Sequence, residues 1–240
     1  PIMDEIINWD NKNWLSSSSY IKSFNKFLLK KKKLSKNSQL LDIGCGRGKI
    51  FGSLSRTFKL IKKPIGIDPV IHKDVDKSID FKNINIFDFF KNNQNKFDLI
   101  MIKQTLHFFS KDKRTKLIKI CKNRLKKNGI LLILSLNTSK NQIPCFKLMK
   151  QKLNRGLEKD ARMLKYTCRI LKNYKLDKFI FKVSLTKKKY IQMLKQKYIS
   201  CLVNLNSNQI NKGIEEININ FKKRITFKDI LESVEYSRIK

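Results

Sequence analysis

Residues 40–48 read Leu-Leu-Asp-Ile-Gly-Cys-Gly-Arg-Gly, an apolar run that ends in an acid and passes at once into glycines. Glycine permits tight turns and lets a ligand approach the backbone closely. A helix starting after such a turn offers free N–H groups and the positive end of its dipole. The pattern is that of a nucleotide-type site at the first strand–helix turn of an open α/β sheet. Its spacing narrows the ligand. Gly44, Gly46 and Gly48 give G-x-G-x-G, one residue short of the dinucleotide fingerprint, and no G-x-x-x-x-G-K-[ST] phosphate loop is present. Asp42 would repel a pyrophosphate and could hold a cationic amine. A neutral or cationic nucleoside therefore fits better than a dinucleotide.

Other polar residues follow apolar runs in order. Residues 64–70, Pro-Ile-Gly-Ile-Asp-Pro-Val, place Asp68 at the end of a second strand, where an acid suits a ribose diol. Residues 84–88, Ile-Asn-Ile-Phe-Asp, read as a third strand ending in Asp88. Phe97 to Ile102 form a fourth, followed by Lys103-Gln104-Thr105-Leu106-His107. His107, one of two histidines, falls at the carboxyl edge, where its pKa range suits a general base. Packing beneath the ligand is the competing role.

Leu41 to Gly48, together with these later landmarks, resembles the class I S-adenosylmethionine-dependent methyltransferases over roughly residues 38–137. The resemblance implies S-adenosylmethionine as cofactor and no metal. It places Asp42, Gly44, Cys45 and Gly46 at the cofactor, Asp68 on the ribose with Pro69 beside the adenine, and Asp88 with Phe87 at the adenine amino group. Gln104 becomes a cofactor or acceptor contact, and Lys103 a partner for an anionic substrate. In this family an N-terminal helix often folds over the cofactor, so Tyr20 would reach the methionine carboxylate and Trp9 or Trp14 would close the pocket.

The elements that position these residues follow from periodicity. An N-terminal helix spans about 17–33, with Ile21, Phe24, Phe27 and Leu28 at helical spacing. Short apolar strands then alternate with helices to about residue 136, as in βαβ units buried on both faces. Residues 111–125 form an amphipathic helix that Asn128-Gly129 closes. Beyond Asn137 come a long helix at about 144–173, a strand at 179–185, helices at 190–202 and 207–217, and a last strand within 222–228. The expected fold is α/β, a Rossmann-like seven-stranded sheet with helices on both faces. Residues 1–37 form the cofactor-covering helix, 38–137 the cofactor-binding core, and 138–240 a helical lid plus the last two strands, all in one structural domain. The lid lies after strand five and between strands six and seven, a layout that resembles the type-11, trans-aconitate-type branch acting on small molecules. Tyr166, Arg169, Tyr190, Lys195, Lys197 and Tyr198 could face its pocket, where a cation would clamp a carboxylate.

The 240 residues carry a net charge of +35, which invites a nucleic-acid reading. Only nine of the 54 basic residues are arginine, the usual phosphate and base reader, and the lysines are scattered. Five cysteines without a C-x-x-C pair fit a reducing cytoplasm, and no apolar run is long enough to span a membrane. The expected partner is a small, carboxylate-bearing metabolite, with the chain a monomer or homodimer. An RNA methyltransferase and a non-catalytic cofactor-binding protein remain as alternatives.

Overall fold

A computed structural model describes residues 14–239. Seven strands form one sheet in the order β3-β2-β1-β4-β5-β7-β6. The strands are β1 (Leu40–Ile43), β2 (Ile65–Ile67), β3 (Asp80–Lys82), β4 (Phe97–Lys103), β5 (Leu125–Leu136), β6 (Lys175–Thr186) and β7 (Arg224–Ser237). The first five run parallel, and β7 inserts antiparallel between β5 and β6. The order reverses at β1–β4, so a crevice opens there at the carboxyl edge, where ligands bind in such sheets.

Helices cover both faces: α1 (Ser18–Lys31), α2 (Lys49–Phe58), α3 (Ile86–Asn92), α4 (Lys111–Asn123), α5 (Lys147–Leu171), α6 (Lys187–Lys195) and α7 (Ser207–Asn220). Strand alternation divides the core. Leu99, Met101 and Leu132 pack with Tyr20, Phe24 and Phe51 on one face. Ile100, Ile102 and Ile133 pack with Phe90, Leu117 and Ile118 on the other. Strands β1, β4 and β5 feed both layers, which explains their continuous apolar runs. Ser17 caps α1 by accepting from the Tyr20 N–H, within the run of four serines.

Four sequence expectations are corrected. Residues 84–88 are not a strand. Strand β3 ends at Lys82, and the Asn85 side chain accepts from the Phe87 N–H to start α3. Asn128-Gly129 does not cap the helix before it. Helix α4 ends at Asn123, where the Arg124 N–H reaches the Ile120 and Cys121 carbonyls, and Asn128-Gly129 lies inside β5 at its irregularity. The 190–202 helix is broken. Helix α6 stops at Lys195, Lys197 has φ +50°, and a separate 3₁₀ turn spans Ser200–Leu202. The last strand is longer than 222–228, because β7 continues along β5 to Ser237. No helix among the described residues is long and apolar enough to cross a membrane.

Candidate active site

The site begins at the glycine turn. Gly44, Gly46 and Gly48 all take positive φ, at +74°, +54° and +67°. At Gly44 a Cβ would meet Thr105 Oγ1 at 2.2 Å, whereas at Gly46 nothing lies within 4 Å. The turn is thus held down on one side and presents bare backbone on the other. Gly48 stands at the N-cap of α2 and supplies no side-chain hydrogen bond, so first-turn N–H groups face the crevice unmasked by a cap.

Asp68 follows β2 and is buried. Its Oδ2 accepts from the Gly46 N–H at 2.9 Å and its Oδ1 from the Val70 N–H at 3.0 Å. A carboxylate has about four lone-pair sites, so capacity remains for a diol. His72 brings its Nε2 within 3.4 Å of Asp68 Oδ2. Pro69 is exposed beside it. Asp42 is buried on β1, where desolvation pushes its carboxyl up to about 7 against the opposing charge of Lys103. Cys45 lies within the turn, and burial raises its thiol far above the usual range. It is a filler, not a nucleophile.

A cavity of about 810 Å³ is lined by Gln104, the neighbour in sequence of Thr105, on which Gly44 packs. Its walls include Gln104 and His107 after β4, Ser135 and Leu136 from β5, and Asp229 from β7. Helix α5 and the turn at Tyr198–Ser200 form the opposite side. Gln104 holds its place with φ +52° and donates its N–H to the Leu134 carbonyl at 2.8 Å. His107 is an exposed residue on the cavity wall, where partial desolvation together with the Arg114 charge holds its pKa below the usual value. Across from it, burial raises Asp160 to about 6 while Arg114 opposes the rise. Lys111 and Arg114 of α4 and Lys159, Arg162, Lys165 and Arg169 of α5 make the wall strongly basic. Trp14, Met163 and Tyr198 supply apolar surface.

Several expected residues converge here. Trp14, Gln104, His107, Tyr166, Arg169 and Tyr198 all line the cavity. The Trp14 ring packs edge-on to Tyr198 and Phe227, and Tyr166 lies beneath Lys111. Others do not. Tyr20 is fully buried among Phe24, Phe179 and Phe181, so it is core instead of a wall for the methionine end. Tyr190 donates its hydroxyl to the Pro144 carbonyl inside the fold. Lys197 donates to the Val203 carbonyl at 3.1 Å and secures its own turn. Lys195 is exposed away from the cavity. Asp88 sits on α3, exposed and 3.5 Å from Lys91, so it does not end a strand. Phe87 is half-buried against Phe109. The polar residues that do follow β3 at the edge are Asn83 and Asn85. Lys103 points under Tyr20 and Phe24 and does not line the cavity. Trp9 lies outside the described residues.

Asp229 and Arg114 escaped the sequence reading. Asp229 is 3% exposed and accepts from Trp14 Nε1 at 2.7 Å. Its signal was a carboxylate in phase with Ile225, Phe227 and Leu231, the buried positions of β7. For the basic wall, Lys159, Arg162, Tyr166 and Arg169 recur at helical spacing along one face of α5.

The family model for the methyltransferase domain matches residues 17–172. The chain belongs to that family. The fold is that of class I S-adenosylmethionine-dependent methyltransferases, so the protein is a methyltransferase whose cofactor is S-adenosylmethionine. Three solved structures illustrate the shared fold. A putative methyltransferase from an antibiotic biosynthesis pathway of Anabaena variabilis is 14% identical, with a TM-score of 0.57 over 88% of this chain and 95% of its own. A plantazolicin methyltransferase, in complex with a monoazolic desmethylPZN analogue and SAH, is 14% identical, with a TM-score of 0.54 over 98% of this chain and 90% of its own. A SAM-dependent methyltransferase from Archaeoglobus fulgidus is 16% identical, with a TM-score of 0.50 over 92% of this chain and 94% of its own. No curated protein matches the chain. The open backbone at Gly46, the bare start of α2 and the buried Asp68 fit an adenosine-bearing cofactor.

Proposed function

We propose that this methyltransferase acts on a small, carboxylate-bearing acceptor held in the 810 Å³ cavity beside Gln104 and His107. The observation that carries the reading is the wall of lysine and arginine at the carboxyl edge, facing an apolar side of Trp14, Leu136, Met163 and Tyr198. Arginine binds carboxylate through two parallel N–H bonds, which orients an acceptor as well as attracting it. Arg114 is suited to this role. Its Nε is buried without a hydrogen-bond partner among the described residues, and its charge reaches both His107 and Asp160. The named targets of structural neighbours, plantazolicin and an antibiotic pathway, are also natural-product chemistry. All five cysteines are free, which suits a reducing cytoplasm.

Asp68 would hold the ribose, the turn at Gly44–Gly46 the adjoining part of the cofactor, and Asp42 its cationic amine. The cofactor supplies an activated methyl group, and the chain supplies alignment. Arg114 and Arg169 fix the acceptor's anion, Trp14 and Tyr198 exclude water, and His107 accepts the proton that the acceptor atom sheds. His107 suits this because its lowered pKa keeps the imidazole neutral at pH 7.

The test is a panel of metabolite carboxylates and their methyl esters, scored by release of S-adenosylhomocysteine. Carboxylates should be preferred by about tenfold or more in kcat/KM, and Arg114→Gln should erase the preference. His107→Ala should lower kcat, and the wild-type rate should fall as pH drops through a pKa below the ordinary histidine value. A best acceptor that is uncharged, or bulk RNA methylated in preference to every metabolite, sinks the reading. An unchanged kcat and pH profile in His107→Ala removes the base role alone.

A further inference from the structure

Arginine is scarce in this chain, nine among 54 basic residues, yet Arg114, Arg162 and Arg169 all stand in the wall of the acceptor cavity. Arg162 has companions on α5. Lys159 and Lys165 lie three residues to either side of it and Tyr166 four beyond, spacings that bring side chains together on a helix surface. All four line the cavity. Thr115 Oγ1 donates to the Tyr166 hydroxyl at 3.3 Å, which ties this cluster to the turn of α4 that carries Arg114.

No acid of the protein answers the α5 cluster. Among the described residues Lys159, Arg162 and Lys165 make no ion pair. Asp229 accepts from Trp14 Nε1 and has Lys103 as its opposing charge, while the charge that opposes the burial of Asp160 is that of Arg114. Glu158, one turn before Arg162, is exposed and likewise in no ion pair among the described residues. Space accompanies the charge. Gly156 lines the cavity, and nothing lies within 4 Å of the Cβ it lacks. Glycine inside a helix costs about 0.5–1 kcal/mol against alanine, yet no protein atom occupies the gap.

We propose that Lys159, Arg162 and Lys165 form a phosphate subsite, so that the acceptor carries a phosphate group besides the carboxylate held at Arg114. The inference rests on the carboxylate reading and narrows it. A carboxylate is planar, and one guanidinium satisfies it through two parallel bonds. A phosphate monoester presents three acceptor oxygens and a charge of about −1.5 to −2 at pH 7, which suits several separate donors. Arg162 supplies a bidentate fork, and the two lysines supply point charges. The cluster determines specificity and touches no reacting atom.

Calorimetric titration of the protein with S-adenosylhomocysteine bound tests it, using para-carboxyphenyl phosphate, para-hydroxybenzoate and terephthalate. These rigid probes share a benzoate and differ at the far end, which carries a phosphate, a hydroxyl or a second carboxylate. Wild type should bind the phosphate about tenfold or more tightly than either of the others. Arg162→Gln should cut that ratio by about fivefold or more, and Lys165→Gln should lower it in the same direction. Arg114→Gln should weaken all three probes and leave the ratio within about twofold. Lys26→Gln removes an exposed charge on α1 outside the cavity and should leave every affinity within about twofold, which separates the subsite from the general field of the chain. Equal binding of the three probes, terephthalate as the tightest, or an Arg162→Gln variant that behaves as Lys26→Gln does overturns the inference. Phenyl phosphate binding as tightly as para-carboxyphenyl phosphate would instead overturn the carboxylate reading and leave the phosphate subsite standing.

Discussion

Asp68→Ala is expected to weaken cofactor binding by about 1–3 kcal/mol, a loss of roughly 5- to 150-fold. Two causes act together. The carboxylate would lose its charge-assisted bonds to the ribose hydroxyls, which are stronger than neutral ones. The turn would also lose an anchor, because Asp68 accepts from the Gly46 and Val70 N–H groups. Asp68→Asn separates the two. Its amide oxygen can still accept one of these backbone bonds, so the turn keeps part of its anchor while the charge is gone. An intermediate loss, measured calorimetrically with S-adenosylhomocysteine, is the expected result. Equal affinity in wild type and Asp68→Ala would show that the ribose lies elsewhere.

Gly44→Ala should have the larger structural consequence. The backbone there has φ +74°, a conformation that costs an L-residue about 1–2 kcal/mol. The added methyl would also stand 2.2 Å from Thr105 Oγ1 and 2.7 Å from Thr105 Cβ, so either β1 or the segment after β4 must move. Overpacking of this kind costs about 1–3 kcal/mol more. The Thr105 hydroxyl donates to the Lys103 carbonyl at 3.0 Å, so displacing Thr105 also disturbs the start of the Gln104–His107 segment. The variant should show a lowered denaturation midpoint and cofactor affinity reduced by about tenfold or more. Gly46→Ala is the contrast: its φ of +54° is strained, yet nothing lies within 4 Å. Its folded state should suffer less, while its methyl would project where the cofactor is to sit. Equal stability in wild type and Gly44→Ala would contradict the close packing of the turn on Thr105.

The parts of this architecture that could be read from the chain are the local ones. The glycine turn declared itself because its strand, turn and helix are contiguous, and Asp68 because an apolar run ends on it. Strand β3 gave a poor signal. It lies at the sheet edge, spans three residues, and none of them is fully buried. The apolar residues after it, Ile84 and Ile86, alternate as a strand would, yet the Asn85 cap turns that stretch into α3. Side-chain direction was hidden where it depends on distant contacts. Tyr20 and Tyr190 looked like pocket aromatics, and only the meeting of α1 with β6, or of α6 with Pro144, shows them to be core. Lys197 reads as a pocket cation in the sequence because the break after α6 has no proline or glycine to mark it. Asp229 was missed for a different reason. A last strand within 222–228 stops one position short of Asp229, so its inward phase does not extend to the carboxylate.

A crystal structure of the chain with S-adenosylhomocysteine bound tests the central claim most directly. The ribose hydroxyls should bond to Asp68, and the thioether sulfur should face the cavity between Gln104 and His107, within methyl-transfer reach of the space beside Arg114. A ribose remote from Asp68, or a sulfur turned away from that cavity, would contradict the account.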